Sequence, residues 1–416
     1  MLNEGQTFKK LLGRVRYDVR SGEGSGDNAP VVLLADYVIE YAVRYRASDM
    51  HLEALEDRAR LRYRIDGTLL ERHEPFDLKV HAVLVSRLKI MAGMDTAERR
   101  RPLDGHIHHV YGGEAYDFRA ATMPTKFGEA FVLRLMGGRG RLLGLDELGF
   151  SEANLKKLRQ LIHAPAGMVA VAGPMNSGKT TTLYAALAEI NRPERSIMTV
   201  EDPIEGFLPG ISQVEVDRHD KVRLDFAAGL RAILRMDVNS IMVGEIRDEE
   251  TAQIAIRAAL TGHLLLTTIH AKDSVSSFFR LLEMGAAPHL LCATLSGLVS
   301  QRLVRRLCPH CKEIYEPTEQ DKLLLGDLYE PTQKMYRSVG CEKCFGTGYS
   351  GQIAVQEVLA FDEELRRLAM AGADIDSFRG LVQEAGFVDM WADGVAKVYA
   401  GVTDLAEVRR VLYGDG

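Results

Sequence analysis

Apolar and polar residues follow different patterns in the two parts of the chain. Apolar residues recur at helical spacing from Leu34 to Tyr45, and RARLRYRIDG then alternates apolar side chains with arginines, as a half-buried strand does. HIHHVYGGEAYDFRAAT predicts two further strands around Gly112-Gly113, and FVLRLM predicts a third. From Leu145 onward, apolar runs alternate with helical patterns, which is typical of a parallel sheet. The pattern therefore predicts a small α+β domain followed by an α/β domain.

Composition suggests where these domains begin and end. The first 30 residues begin with a short helix-compatible piece and end in RSGEGSGDNAP, and we expect residues 1–30 to form a disordered tail and linker. The α+β domain is expected over residues 31–137 and the α/β domain over residues 145–416. Between them, Gly137-Gly138-Arg139-Gly140 predicts a hinge linker, which we assign to residues 138–144.

Four arginines alternate with apolar residues along the first predicted strand. Such a stripe is most simply a solvated face. Arginines on a small domain can also complete a phosphate site across an interface, and the sequence leaves both uses open. The four are Arg58, Arg60, Arg62 and Arg64.

A glycine-rich loop between an apolar strand and a predicted helix carries the clearest chemistry. MVAVAGPMNSGKTTTLY, from Met168 to Tyr184, fits the pattern G-x-x-x-x-G-K-[ST]. Such a loop turns its backbone N–H groups onto phosphate oxygens, with Lys179 reaching the outer phosphates and the Thr180 hydroxyl binding Mg²⁺. The sequence therefore predicts a nucleotide site formed by Gly173, Pro174, Met175, Asn176, Ser177, Gly178, Lys179, Thr180 and Thr181.

Acidic residues end two later strands, and a histidine ends a third. Glu201 and Glu245 each follow an apolar run, and an acid there can hold Mg²⁺ through water or orient the attacking water. Which of the two is the base stays open. His270 ends the next strand and can sense the terminal phosphate; His263 precedes that strand and is favoured less.

Four of the five cysteines form two Cys-x-x-Cys pairs, which are separated by 29 residues. Two identical spacings favour a structural, tetrahedral zinc site over buried free thiols. The fifth, Cys292, lies in an apolar helical stretch and is expected in the core. The predicted ligands are Cys308, Cys311, Cys341 and Cys344.

Charge and hydropathy limit the possible functions. The net charge is −6, from 52 basic and 58 acidic residues, which argues against a chain that binds nucleic acid through general positive charge. No apolar run reaches the ~18 residues that a membrane span needs, and the N-terminus has no signal-peptide core. We therefore expect a cytoplasmic protein.

With these motifs the sequence resembles the ATPase family that powers type II secretion and type IV pilus assembly. The resemblance rests on GPMNSGKTTTLY, VEDPIE, LRAILRMDVNSIMVGEIRDEETA and TGHLLLTTIHAKDS, and it continues through QRLVRRLCPHCKE and TGYSGQIAVQEVL. ASDMHLE, YRIDGTLLE and RLKIMAGMDTAERRRPLDG extend it over roughly residues 31–413. It implies an α/β fold: a RecA-like P-loop NTPase domain, with a four-cysteine zinc subdomain at residues 305–350, preceded by a smaller PAS-like α+β domain.

The resemblance also implies a function. Members work as hexameric rings at the inner face of the bacterial inner membrane, where ATP hydrolysis moves the first domain against the second. A platform protein in that membrane passes the motion to a growing pilus or pseudopilus, without direct contact to nucleic acid. The implied cofactors are ATP, Mg²⁺ and structural Zn²⁺. It also implies a role for each site residue. Lys179 and Thr180 bind the phosphates and Mg²⁺, and Glu245 polarises water or holds the metal while Glu201 assists. His270 couples the phosphate to the neighbouring subunit, and Arg119 and Arg134 reach the nucleotide.

Departures from the family pattern leave two other functions open. Met175-Asn176 replaces the usual Thr-Gly, but asparagine tolerates positive φ, so we expect the loop to keep its shape. Other motif changes make slow hydrolysis possible, which would suit a regulatory ring subunit. A DNA-uptake or translocation ATPase with the same nucleotide core is the second alternative.

Overall fold

The computed structural model describes residues 4–21, 29–136, 142–216 and 224–414. The chain divides into two compact units, Met1–Gly140 and Arg141–Gly416. The predicted hinge glycines, Gly137, Gly138 and Gly140, lie outside the described residues. Within the described ranges, no helix is both long and apolar enough to cross a membrane.

The first unit is an antiparallel sheet with helices, which is the predicted α+β arrangement. The helices are α1 (Glu4–Ser21), α2 (Pro30–Arg44) and α3 (Leu78–Met91), and the strands are β1 (Asp49–Ala54), β2 (Ala59–Ile65), β3 (Thr68–Glu71), β4 (Leu103–Tyr111), β5 (Glu114–Thr125) and β6 (Gly128–Leu135). The strands run in the order β3-β2-β1-β6-β5-β4.

Strand β2 shows the predicted alternation. Its apolar side chains are buried, and its arginines lie on the other face in ion pairs with acids of β1. Arg60 Nε and Arg62 Nη2 lie 2.7 and 2.6 Å from the Glu53 carboxylate. The hairpin to β3 turns at Asp66-Gly67, where both residues have positive φ (49° and 80°), as a two-residue type I′ turn requires.

The N-terminal segment differs from the expectation of a disordered tail. Residues 4–21 form α1, whose Phe8, Leu12 and Val15 are 2%, 7% and 1% exposed in the core of the first unit. These three residues are spaced as one apolar stripe of a helix, and this stripe outweighs the polar composition around it. Of the predicted tail and linker, residues 22–28 lie outside the described ranges.

The second unit is built on a mainly parallel sheet. Its strands are β7 (Gly167–Ala172), β8 (Ile197–Glu201), β9 (Ser212–Glu215), β10 (Ser240–Val243), β11 (Leu264–Ile269), β12 (Leu295–Leu307) and β15 (Tyr349–Ala360), and β13 (Glu313–Tyr315) and β14 (Met335–Arg337) form a separate antiparallel pair. The sheet order is β15-β12-β7-β11-β10-β8-β9, with β15 antiparallel at one edge. This confirms the predicted α/β class.

Helices cover both faces of this sheet, because its central strands bury side chains on both sides. In β7, Met168 and Ala170 belong to one apolar core, and Val169 and Val171 belong to the other. The helices are α4 (Glu152–Ile162), α5 (Lys179–Ile190), α6 (Phe226–Ile233), α7 (Glu249–Leu260), α8 (Ser274–Glu283), α9 (Pro288–Thr294), α10 (Glu319–Leu325), α11 (Glu363–Met370), α12 (Ile375–Glu384), α13 (Met390–Tyr399) and α14 (Leu405–Tyr413).

Strand order decides which loops meet. Strands β8, β10, β11 and β7 lie side by side and parallel, so their carboxyl ends share one edge, where ligands of such sheets bind. The glycine-rich loop follows β7, the two acidic segments follow β8 and β10, and His270 follows β11.

Candidate functional site

The glycine-rich loop joins β7 to α5 through backbone conformations that favour glycine and asparagine. Asn176 (φ 60°) and Gly178 (φ 83°) are left-handed, and the first confirms the expectation that asparagine replaces glycine here without losing the loop. A Cβ on Gly173 would lie 2.3 Å from Ser177 Oγ and 2.7 Å from the carbonyl oxygen of Gln301. The loop therefore has little space for other residues at its first glycine.

Lys179 begins α5 and turns back onto the loop. Its Nζ donates to the carbonyl oxygens of Gly173 and Pro174 at 3.0 and 2.7 Å. Burial lowers the pKa of Lys179, the Glu245 carboxylate opposes that shift, and Arg302 adds to it. The ammonium group is thus held at the mouth of the loop. Thr180, half-buried, and Thr181, exposed, follow in the first turn of the helix.

Glu245 follows β10 and lies beside two half-exposed side chains, those of Arg247 and His270. The preceding peptide is fixed by Thr268 of β11, whose hydroxyl donates to the Gly244 carbonyl oxygen at 2.7 Å. The Glu245 side chain is 13% exposed, pairs with Arg247, and has its Oε2 3.6 Å from His270 Nε2. The structure therefore brings together Glu245 and His270, which are 25 positions apart in the sequence.

Glu201 ends the neighbouring strand β8 but is in a different environment. It is 2% exposed and accepts hydrogen bonds from Tyr184, from Thr199 Oγ1 at 2.5 Å and from Gln213 Nε2 at 3.1 Å. Burial, followed by the Glu201 carboxylate, raises the pKa of Tyr184 far above its ordinary value, so this hydroxyl stays a donor. Three side-chain donors thus satisfy a carboxylate that has almost no access to solvent.

Sequence reasoning missed Gln301, a residue of β12 that contacts the loop from behind. Its Nε2 donates to the Ser177 carbonyl oxygen at 2.7 Å, and its Oε1 accepts from Thr182 Oγ1 at 2.9 Å. Gln301 is 1% exposed. The available signal was a polar residue in the apolar run LSGLVSQRLV, a position where a buried side chain needs a partner.

Arg119 and Arg134 belong to the first unit, where they are cross-strand neighbours on β5 and β6. Arg134 Nε donates to Asp49 Oδ1 at 2.8 Å, and Arg119 Nη2 lies 3.3 Å from Asp104 Oδ1. Both side chains are at least half exposed. The structure thus places the two predicted arginines next to each other within their own unit.

The four paired cysteines come together at one end of the β12–β15 ladder. Cys308 follows β12 and Cys344 shortly precedes β15, so the pairing of these strands brings the two knuckles together despite the long segment between them. The four Sγ atoms lie within 4.8 Å of one another. The closest pairs of Sγ atoms are 3.7 to 3.9 Å apart. A tetrahedral zinc site with Zn–S bonds of about 2.3 Å requires its sulfur atoms to lie about 3.8 Å from one another, so these distances fit such a site.

Backbone donors also suit a thiolate at this cluster. The N–H groups of Cys341 and Gly348 donate to Cys344 Sγ at 3.1 and 3.2 Å. Burial raises the pKa of Cys344, but the hydrogen bonds outweigh it and lower the pKa to about 6. The donor set therefore fits a metal ion. Cys292 is buried in the core on α9, as expected.

Comparison with known proteins matches residues 25–410 to the model of the type II/IV secretion system protein family. The chain is 43% identical to "Type II secretion system ATPase E" of Vibrio cholerae, covering 93% of this chain and 76% of that protein. It is 43% identical to "Type IV pilus assembly ATPase PilB" of Myxococcus xanthus, covering 92% of this chain and 68% of that protein. Among solved structures, the Legionella pneumophila ATPase DotB is similar in fold, with a TM-score of 0.66 and 21% identity over 91% of this chain and 94% of that one.

Proposed function

Because this chain belongs to the type II/IV secretion system protein family, we propose that it is a motor ATPase that hydrolyses ATP to drive assembly of a type IV pilus or a type II secretion pseudopilus. The observation that carries the proposal is the meeting of three chain segments at one edge of the parallel sheet. These are the loop with Lys179, the end of β10 with Glu245 and the end of β11 with His270.

This geometry supports a division of roles in hydrolysis. The backbone N–H groups at the start of α5 would hold the phosphates, and Lys179 would exchange its two carbonyl partners for the outer phosphate oxygens. The Thr180 hydroxyl would hold Mg²⁺, which neutralises charge on the phosphates when bound. Glu245 would take a proton from the attacking water.

The remaining site residues would act around this centre. Half-exposed His270 lies close enough to Glu245 to contact the terminal phosphate and pass its presence to a neighbouring subunit. Glu201 would assist from the next strand through its hydrogen-bond network. Arg119 and Arg134 would reach a nucleotide as a pair, after exchanging their acidic partners for phosphate oxygens.

We extend the proposal to the partners and location of the motor. The chain would assemble into a homo-hexamer at the cytoplasmic face of the inner membrane and act on a platform protein there. Support comes from its similarity to a secretion ATPase and to a pilus assembly ATPase over more than nine-tenths of its length.

Zinc is the metal we propose for the cysteine cluster, with a structural role. Four thiolates leave no coordination position open, and such ions contribute on the order of 10 kcal/mol to folding. Elemental analysis should find one zinc ion per chain, and Cys341→Ser should lose the zinc and lower the melting temperature. Cys292→Ser, the matched control outside the cluster, should keep the zinc. Equal zinc content in both variants would contradict the proposed site.

The motor proposal is tested by steady-state ATP hydrolysis with Mg²⁺, with oligomer mass recorded in the same samples. Turnover of the unmodified chain should rise as rings form. Glu245→Gln should bind ATP but turn over at least about 100-fold more slowly, the usual contribution of a general base. Glu250→Gln is the control, because its exposed carboxylate on α7 pairs only with exposed Arg231 among the described contacts.

Two outcomes would replace the proposal. If the unmodified chain and Glu245→Gln were equally inactive in assembled rings, the chain would be a nucleotide-binding scaffold subunit. If DNA stimulated turnover with a steep salt dependence, a DNA-handling ATPase would take its place.

A further inference from the structure

Gln301 lies behind the phosphate loop at a position that the strand order determines. β12 runs parallel to β7, and Ser300 pairs with Ala172, the last residue of β7. Gln301 therefore lies beside Gly173, where a Cβ would be 2.7 Å from the Gln301 carbonyl oxygen. This is the point where β7 ends and the loop begins. Gln301 reaches the loop from a strand more than 100 residues further along the chain.

The Gln301 amide bonds both sides of the turn that leads into α5. Its Nε2 donates to the Ser177 carbonyl oxygen at 2.7 Å, before Gly178. Its Oε1 accepts from Thr182 Oγ1 at 2.9 Å, one helical turn after Gly178. Lys179 and Thr180 therefore lie between two points that a single buried side chain holds.

The first of these bonds sets the direction of a peptide group. A trans peptide is planar, so its carbonyl and its N–H point in opposite directions. The Ser177 carbonyl points into the core at Gln301, and the Gly178 N–H of the same peptide therefore points away from the core. Gly178 is the N-cap of α5, where helix N–H groups have no intrahelical acceptor and are free for an anion.

We infer that Gln301 is a positioning residue of the nucleotide site: it holds the Ser177–Gly178 peptide so that the Gly178 N–H faces a phosphate of the nucleotide. The inference rests on the proposed function, since it concerns the same site. Gln301 itself does not touch phosphate in this arrangement. Thr182 orients the amide by donating to its oxygen, which leaves the amide nitrogen for Ser177.

The chain provides a matched control in Gln356. This residue pairs directly with Gln301 across the β12–β15 ladder and is 0% exposed. Among the described residues, the side-chain amide of Gln356 has no hydrogen-bond partner. Gln301→Met and Gln356→Met thus make the same change at adjacent buried positions, and only the first removes contacts to the loop.

The experiment measures the Kd for ADP and for ATP with Mg²⁺, then kcat and KM, and the melting temperature of each variant in the full chain. Gln301→Met should raise both Kd values and KM by about tenfold, a typical effect of one lost charge-assisted hydrogen bond. Gln356→Met should leave the affinities unchanged. Thr182→Val should weaken binding less than Gln301→Met, and the double variant should be less than additive, because both changes break one chain of contacts.

The affinity readout separates positioning from stability. If Gln301→Met lowers the melting temperature but leaves Kd and KM at the values of Gln356→Met, Gln301 is only structural and the inference is overturned. If the unmodified chain bound nucleotide but did not hydrolyse it, the motor function would be contradicted. The Kd values of the variants would still show whether Gln301 positions the phosphate loop. Absence of nucleotide binding in the unmodified chain would overturn both.

Discussion

The ends of β8 and β10 are adjacent in the sheet and each carries a glutamate, yet the partners of the two carboxylates differ in their exposure to solvent. Glu201 is 2% exposed and is held by three side-chain donors. Glu245 keeps contact with solvent, and its partners Arg247 and His270 are about half exposed. A buried carboxylate needs its donors to remain charged, whereas exposed partners can leave when a ligand arrives. This difference supports the proposal that Glu245 is the reacting carboxylate and that Glu201 assists through its hydrogen bonds.

The largest expected difference in stability is between variants of the two glutamates. Glu201→Gln replaces one acceptor oxygen by an NH2 group at a buried site surrounded by three side-chain donors and should lower the free energy of unfolding by about 2 kcal/mol. Glu245→Gln should lower it by less than about 1 kcal/mol, because its partners Arg247 and His270 are about half exposed to solvent. Denaturant unfolding followed by circular dichroism measures both.

A second variant tests the same network without changing the carboxylate. Tyr184→Phe removes one donor to Glu201 and should cost about 1 kcal/mol with turnover largely retained. If Glu201→Gln instead abolished turnover at unchanged stability, Glu201 would be the reacting group and the comparison would be reversed.

A third effect, on turnover, is expected at His270. His270→Ala should reduce ATP turnover about tenfold, or ~1.4 kcal/mol, because Glu245 loses a neighbour at the reacting edge. Stability should change by less than about 0.5 kcal/mol, since the side chain is half exposed. Steady-state kinetics and melting temperatures are compared in the same samples.

His263→Ala is the control for that measurement. His263 precedes the same strand, and its Nδ1 contacts the Ala258 carbonyl oxygen at the end of α7. Its replacement should leave turnover unchanged. A similar loss in both variants would mean that β11 is disturbed as a whole and that His270 has no separate role.

Local sequence was sufficient to predict the loop and the class of the second unit. The residues of the loop are consecutive, so their spacing was enough to predict a phosphate loop. The resemblance to the family, which has glycine at Asn176, led to the expectation that asparagine keeps the loop's shape, and its φ of 60° agrees. The four cysteines were also predictable as a cluster, because each Cys-x-x-Cys knuckle is itself local. The start of the chain was recognised only as a short helix-compatible piece within a disordered tail, although the apolar stripe of α1 was present in the sequence, because the glycines and serines that follow it received more weight.

Contacts between distant segments were beyond the reach of pattern reasoning. Gln301 meets Ser177 only because β12 lies next to β7, and sequence spacing carries no information about that order. The environments of the two glutamates were unpredictable for the same reason. Their motifs predicted an acid at each strand end, but the donors around Glu201 come from α5 and β9 as well as from its own strand.

The sequence by itself therefore determined the chemistry available at the sheet edge: the glycine loop, the lysine, two glutamates, a histidine and a cysteine cluster. Only the tertiary structure decided which glutamate stays open and which side chain supports the loop. The physical reason is that conformational preference and ligand type are properties of neighbouring residues, whereas burial and hydrogen-bond satisfaction depend on which strands and helices are packed together.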